Sequence, residues 1–531
     1  MSSIEALFDH YGSAYRWFAT ATVMIATVAV VLSTTIVNVA IPDVMGAFGI
    51  SQVQAQWIST GFLAAMTATM LLTDWADKAF GLRATMIGAL SIFMFGSILG
   101  GIAPNENILT IARVVQGAAA GVVQPLAMIL LFQVYPPDQR GAAMGIFGIG
   151  VVLAPALGPW IGGLLIDSFS WHYVFFLGIP FAIIGILLSN LFLPTRKQTG
   201  PRPGFDWGGM GLLCIFLAAL LNALTNAQRQ GWTSDPILLQ FTIATIAAAA
   251  FIWWELKTEK PMLDLRLFAN LPFSAASLVS FIMGAGLFGS TYLVPLFVQT
   301  IQGMTPTQAG LLLMPSGLVL VLVFPLAGRL SDRIPEGYLI GSGMFIFAWS
   351  SYLTTSISIN TTFWTLAWWT VLSRIGLGLV FPSITAGSLK VLPPDLVGQG
   401  SGAVNFTRQL GGAFGVNLLA VLLERRTMFH ADALTVSQTS DNPATMELLK
   451  RLTGLVKSAG LPDFQQLPAA LQYLAQMISI QANTLAFQDG FLVVTCIFLL
   501  ALVPTWMLHQ AQKKIGHRRN QIRRQSREAV S

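Results

Sequence analysis

The sequence predicts an all-α polytopic membrane protein whose fourteen transmembrane helices are ordered as six, two and six, and three observations carry that class. Of 531 residues, 54% are hydrophobic and only 10% charged, and the mean hydropathy of +0.68 is too apolar for a soluble globular chain. Apolar runs of about 20 residues, the length that a ~30 Å hydrocarbon core demands, recur along the whole chain. The first and last blocks of these runs also repeat each other.

The first block reads 17–41, 57–73, 84–102, 107–134, 142–166 and 172–193. A polar link, TRKQTGPRPGFDWGG (195–209), leads to two further runs at 210–226 and 238–256. The last block reads 273–299, 307–327, 338–357, 362–388, 401–422 and 487–508. PPDQRGAAMG at 136–145 returns as PPDLVGQGSG at 393–402, Arg113 returns as Arg374, and TDWADKAFGLR from Thr73 returns as AGRLSDRIP from Ala327. Three markers separated by 257, 261 and 254 residues define two parallel halves, the organisation of one large transporter class with its substrate site between the halves. The expected domains are therefore a six-helix bundle at 1–194, a linker with two inserted helices at 195–272, a second bundle at 273–508 with a long external segment at 423–486, and a basic tail at 509–531.

Charge sets the expected orientation. With the N-terminus in the cytoplasm, 20 of the 29 Lys and Arg fall on that face, and the short loops opposite hold only Arg229. Both termini are then cytoplasmic, and 17–41 reads as a retained span because the residues before it lack the basic start and cleavage site of a signal peptide. The net charge of +6 is scattered through short loops without an aromatic-interleaved groove, which argues against nucleic acid. Cys214 and Cys496 fall in apolar runs and offer neither disulfide nor metal spacing, and His172 and His430 have no ligand partners at metal spacing. No phosphate-cradling GxxxxGK[ST] loop and no nucleophile–base pattern is present, so neither ATP drive nor an enzyme is expected. A channel is disfavoured because no filter-like loop or charged ring repeats.

The run GIGVVLAPALGPWIGG (148–163) places two prolines and five glycines inside one apolar span. A bilayer tolerates this, because neighbouring helices re-satisfy the freed carbonyls. Gly148, Gly158, Gly162 and Gly163 with Pro155 and Pro159 thus predict a kinked span with a nearly side-chain-free face, a seam along which two helices seal or slide. Arg113 and Arg374 lie inside spans, where a cation costs about 2.5–3.5 kcal/mol and faces an aqueous path or a partner; Arg408 lies nearer a span end. Every Asp and Glu falls in a loop, a tail or within a turn or two of a span end, so no carboxylate is expected at mid-membrane. Asn38 and Gln124 read equally as interhelical glue or cavity contacts. Trp57, Met66 and Met128 read as packing residues or as the lining of an adaptable apolar pocket.

LSTTIVNVAIP (32–42), RVVQGAAAG (113–121), the run at 148–163, WHYVFFLGIP (171–180), FDWGG (205–209) and PMLDLRLF (261–268) together resemble the fourteen-span EmrB/QacA-type drug:proton antiporters of the major facilitator superfamily. The resemblance covers nearly the whole chain. It implies the major facilitator fold, a cytoplasmic (inner) membrane location, and export driven by the proton gradient without a cofactor. The Gly/Pro run resembles that superfamily's antiporter motif, which favours export over uptake. Ser33 stands where the family pattern usually has an aspartate implicated in proton or cation handling. DWADKAFGLR (74–83) departs from the family's Gly-x-Leu-Ala-Asp-Arg loop, with Asp74 at its first glycine and Lys78, beside Asp77, at its acid. The second copy, GRLSDR (328–333), keeps Gly328, Asp332 and Arg333. Asp74, Asp77, Arg83, Gly328, Asp332 and Arg333 are accordingly the expected cytoplasmic gate, with Arg113, Asn38 and Ser33 facing the cavity. A receptor or scaffold that kept the fold without transport is the alternative. In 423–486, ATMELLKRLTGLV (444–456) and LPAALQYLAQMI (467–478) have helical apolar spacing. They read either as a hairpin on the protein's own outer face or as a docking surface for an EmrA-like periplasmic adaptor leading to an outer-membrane channel.

Overall fold

A computed structural model describes residues 4–195, 203–439 and 441–510, and all its regular elements are helical. The first half comprises α1 (Ile4–Tyr11), α2 (Tyr15–Phe48), α3 (Gln52–Met70), α4 (Thr73–Phe80), α5 (Leu82–Gly101), α6 (Glu106–Val134), α7 (Arg140–Ser168), α8 (Tyr173–Phe176) and α9 (Gly178–Phe192). The insert is α10 (Trp207–Gln230) and α11 (Asp235–Lys257). The second half comprises α12 (Leu271–Thr300), α13 (Pro306–Arg333), α14 (Glu336–Thr354), α15 (Phe363–Lys390), α16 (Val397–Val436), α17 (Pro443–Ser458) and α18 (Asp463–Leu500), the last continuing as helix to Gln510. Each of the fourteen expected spans falls largely on helix, that at 172–193 on α8 and α9 together. Among the described residues, eleven helical stretches are long and apolar enough to cross a membrane. The basic tail lies outside the described residues.

Local chemistry explains where the helices begin. Ser51 and Thr305 each close a capping box, with Gln54 and Gln308 reaching back to the cap. Asn105, Asp206, Asn270 and Thr362 accept a first-turn N–H at the starts of α6, α10, α12 and α15. α2 ends on Gly49, whose φ of +63° supplies the left-handed residue that terminates a helix. Pairs of small residues then set the packing. Gly117 and Gly121 of α6 lie against the backbone of Phe62 and Met66 of α3, and Gly411 and Gly415 of α16 lie against Phe281 and Ala285 of α12.

The halves meet near one end of the bundle, the end that carries the basic loops, called here the basic end. α7 crosses onto α13 and α15, while α3, α4 and α6 meet α16. A hydrophobic core there runs from the first half into Ala386, Leu389, Leu392, Ala403 and Val404 of the second. At the opposite end a separate core, with Ile36, Val44, Ile58, Trp171 and Phe175, belongs to the first half alone.

The external segment departs from expectation. α16 and α18 do not stop at the expected membrane limits of 422 and 487 but continue through the segment, and α17 packs against α18. Apolar periodicity marks 444–456 correctly as α17, yet the polar stretch 423–436 is helical because it extends a helix already nucleated in the bundle.

The run at 148–163 is part of one helix with two duties. Gly141 and Gly145, which precede it, face Gly328 and the Phe324 carbonyl of α13, and Gly148 faces the Phe324 and Phe381 rings. Gly158 and Gly162 instead face Thr35 and Ile36 of α2, inside the same half, and a Cβ on Gly163 would meet nothing. The side chains of Pro155 and Pro159 lie outside the described residues. Of the expected seam at 148–163, Gly148 meets the other half, in continuation of Gly141 and Gly145, whereas 158–162 is an internal joint of the first half. Gly145→Val should part α7 from α13, so a cysteine at buried Ser401 should react with a maleimide at least several-fold faster than in the parent. Gly162→Val should destabilise the first half without that acceleration. Equal labelling in all three proteins would refute the assignment.

Candidate functional site

Asp332, in the last turn of α13, reaches across the junction to the start of α7. Its Oδ1 accepts from the Gly141 N–H at 2.7 Å and its Oδ2 from the Ala142 N–H at 2.9 Å. A carboxylate at a helix N-terminus satisfies orphan donors and faces the positive end of the helix dipole. Lys390 lies 4.0 Å from the same carboxylate and 2.9 Å from Glu336. Asp74 holds a related position in the other half: a Cβ on Gly398, in the first turn of α16, would strike its carboxylate. Lys78, at the motif's acid position, pairs with Asp74 at 2.7 Å. The acid of the first copy has therefore moved back one helical turn and still meets a helix start of the opposite half.

The other expected gate residues serve differently. Gly328 lets α13 touch the Gly141 carbonyl. Arg83 donates to the Leu193 carbonyl at 2.7 Å and fastens the end of α9 within its own half. Asp77 makes interactions of its own on α4, and Arg333 is exposed.

Above the seal lies a buried polar junction between α6 and α16. Ser401 Oγ donates to the Pro125 carbonyl at 3.0 Å, and Asn405 Nδ2 donates to Met128 Sδ at 2.8 Å. Arg408 donates to Asn405 Oδ1 at 2.6 Å and across the junction to Gln124 Oε1 at 3.3 Å, with its guanidinium 4.9 Å from the Phe381 ring. Gln124, Met128 and Arg408 are thus brought together. Sequence reasoning ranked Arg408 below the other intramembrane arginines, because it lies near the start of a long apolar run; its carbonyl against Gly284 places it inside the bundle.

Arg113 is turned away from any opening. It is 1% exposed and donates to the Ile58 carbonyl, the Ser33 carbonyl and hydroxyl, and Gln116 Oε1, at 3.0–3.3 Å, over the Phe62 ring. The expectation of a cavity-facing Arg113 is corrected to a joint of α2, α3 and α6: with no carboxylate at Ser33, carbonyls and a hydroxyl supply its acceptors. Arg374 repeats the arrangement, donating to Thr291 Oγ1 at 2.8 Å, and Thr291 follows Ser33 by nearly the same interval as Arg374 follows Arg113. Met66 is buried in the α3–α6 packing, Trp57 is 38% exposed, and the Asn38 side chain lies outside the described residues.

Replacing Arg113 by Ala strips donors from the Ile58 and Ser33 groups, each loss costing about 1–3 kcal/mol when buried. Arg113→Ala should lower the thermal midpoint of the detergent-solubilised protein far more than Ser33→Ala, which keeps both carbonyl contacts. Equal midpoints for the two variants would refute the joint.

The Major Facilitator Superfamily model matches residues 23–416. The multidrug export protein EmrB of Escherichia coli (strain K12) is 30% identical over 487 residues, which cover 91% of this chain and 93% of EmrB. The fatty acid resistance protein FarB of Neisseria gonorrhoeae is 29% identical over 497 residues, covering 93% of this chain and 96% of FarB. In fold, the chain is similar to the crystal structure of the human organic anion transporter MFSD10, with a TM-score of 0.61 at 13% identity over 93% of this chain and 99% of that one. The receptor or scaffold alternative gains no support from these relatives. Two repeated helical halves joined through glycines, together with this match over most of the chain, establish that the protein belongs to the major facilitator superfamily and is a multi-pass membrane transporter of small molecules, not an enzyme.

Proposed function

We propose that the protein exports hydrophobic, neutral or weakly acidic compounds from the cytoplasm across the inner membrane in exchange for protons, by alternating access. The basic end is the cytoplasmic end, both termini lie there, and the sealed junction corresponds to an outward-facing state. No cofactor takes part, and the proton gradient supplies the energy. Coupling runs through the gate acids Asp74 and Asp332, since Ser33 offers no carboxylate.

The observation that carries the substrate class is the sign of the buried charge. Arg113, Arg374 and Arg408 lie in the bundle interior, whereas the buried carboxylates among the described residues, Asp74, Asp206 and Glu255, all sit at the basic end. Arg408 is the arginine whose partners span the halves. When the halves part at that level its guanidinium loses Gln124 and takes a replacement acceptor from the substrate. A lipophilic cation finds no counter-charge there, and desolvating an unpaired charge is prohibitive. Similarity to the multidrug export protein EmrB and to the fatty acid resistance protein FarB supports this reading.

In cells lacking other pumps, the chain should raise resistance to a weakly acidic protonophore several-fold and leave ethidium resistance unchanged, and Arg408→Ala should abolish the gain at equal expression. Protection against ethidium alone would overturn the reading.

The helical hairpin beyond the bundle is the proposed seat of an EmrA-like periplasmic adaptor that passes substrate to an outer-membrane channel. Phe464, Leu467, Leu471 and Met477 of α18 and Met446 and Leu455 of α17 are exposed on it. Deleting 440–470 should abolish adaptor pull-down while sparing substrate binding; an intact pull-down would refute the docking surface.

A further inference from the structure

The two inserted helices begin and end on a pair of buried carboxyl groups. Asp206 caps α10 and is 9% exposed; Glu255, in the last turn of α11, is 3% exposed. Each has one oxygen held by donors. Asp206 Oδ1 accepts from the Gly209 N–H at 2.9 Å and Trp254 Nε1 at 2.8 Å, and Glu255 Oε2 accepts from the Leu263 N–H at 3.1 Å. The other oxygens, Asp206 Oδ2 and Glu255 Oε1, are buried and have no hydrogen-bond partner among the described residues. Both converge on the bare face of Gly209, where an added Cβ would collide with each of them.

Among the described residues, no charged group of the surrounding segments is paired with either carboxyl group. Lys257 lies over the Trp253 ring at 4.2 Å, Lys78 pairs with Asp74, and Arg83 is taken by the Leu193 carbonyl. Asp264 accepts from the Arg266 N–H, Asp77 has interactions of its own, and Glu259, Lys260 and Arg266 are exposed. With no cation paired to them among the described residues, two adjacent buried carboxylates cannot both stay ionised. Their free oxygens need a donor, and a proton is the smallest group that supplies one to both.

We infer that Asp206 and Glu255 form a proton-binding site, in which a single proton is shared between Asp206 Oδ2 and Glu255 Oε1 as a carboxylic acid–carboxylate hydrogen bond. The bond staples the start of the insert to its end. The insert in turn is fastened to both halves: Trp75 of α4 donates to the Pro203 carbonyl at 3.1 Å and packs on the Phe205 ring at 4.7 Å, while the Asp264 N–H donates to Gln399 of α16 at 3.2 Å. Loss of the proton sets two like charges side by side and loosens a strap between the halves at the basic end. The inference goes beyond the proposed export and stands apart from it.

The test is infrared difference spectroscopy of the full-length protein in lipid nanodiscs, titrated with pH. At neutral pH the parent should show the carbonyl stretch of a protonated carboxylic acid, shifted in heavy water. Glu255→Gln and Asp206→Asn each leave one ionised carboxylate with an amide donor, so both should fold and both should lose the band. Gly209→Ala, by wedging the oxygens apart, should lose it at a lower pH than the parent does. A parent spectrum without the band at neutral pH, or a band that persists in folded Glu255→Gln and Asp206→Asn, would overturn the site.

Discussion

Backbone contact between α7 and α13 is the constraint on which the arrangement depends. With glycine at 141, 145 and 328 the two helices approach until main chain meets main chain, and the Asp332 carboxylate can then reach the first N–H groups of α7. A side chain at any of these positions would hold the helices apart and leave the carboxylate without its donors. The polar junction of Gln124, Asn405 and Arg408 requires the same closeness, because its longest hydrogen bond already spans 3.3 Å. Close backbone packing and the polar contact therefore depend on each other, as at interfaces that have two discrete packings.

The repeat gives this junction its symmetry. Asp332 meets the start of α7, and Asp74 meets the start of α16, the corresponding helix of the other half. Arg113 holds a hydroxyl on α2, and Arg374 holds one on α12. These pairs follow one internal interval even though the side chains have drifted, with serine opposite threonine and the first acid displaced by a turn. Geometry has outlasted the motif, because a carboxylate one turn earlier on a short helix still reaches a helix N-terminus.

How much was legible in the sequence follows from which signals are local. Span length and apolarity are properties of single segments, and all fourteen expected runs fall on helices. The repeat was equally legible, since three short motifs return at one interval. Side-chain direction was not. Arg113 reads from its span as a cation in search of water, but its acceptors on other helices come from α2 and α3, 80 and 55 residues away in sequence, and spacing says nothing about such partners. Gly158 and Gly162 carry the same small-residue signature as Gly141 and Gly145, yet one pair serves an internal joint and the other the junction between halves. The carboxyl pair escaped a census that sought acids at mid-membrane, because Asp206 and Glu255 each look like an ordinary polar residue at a span end until α10 and α11 bring them together.

α16 is a single helix of 40 residues, about 60 Å long at 1.5 Å per residue, and it belongs to the second half. Its buried end carries Ser401, Asn405 and Arg408 and its far end runs on through the external segment, so a rotation at the polar junction would turn the helix into a lever. An angular movement too small to matter among packed side chains would be magnified along an arm of this length into a larger displacement at the tip. The packing at the junction would thereby be reported on a surface far from it.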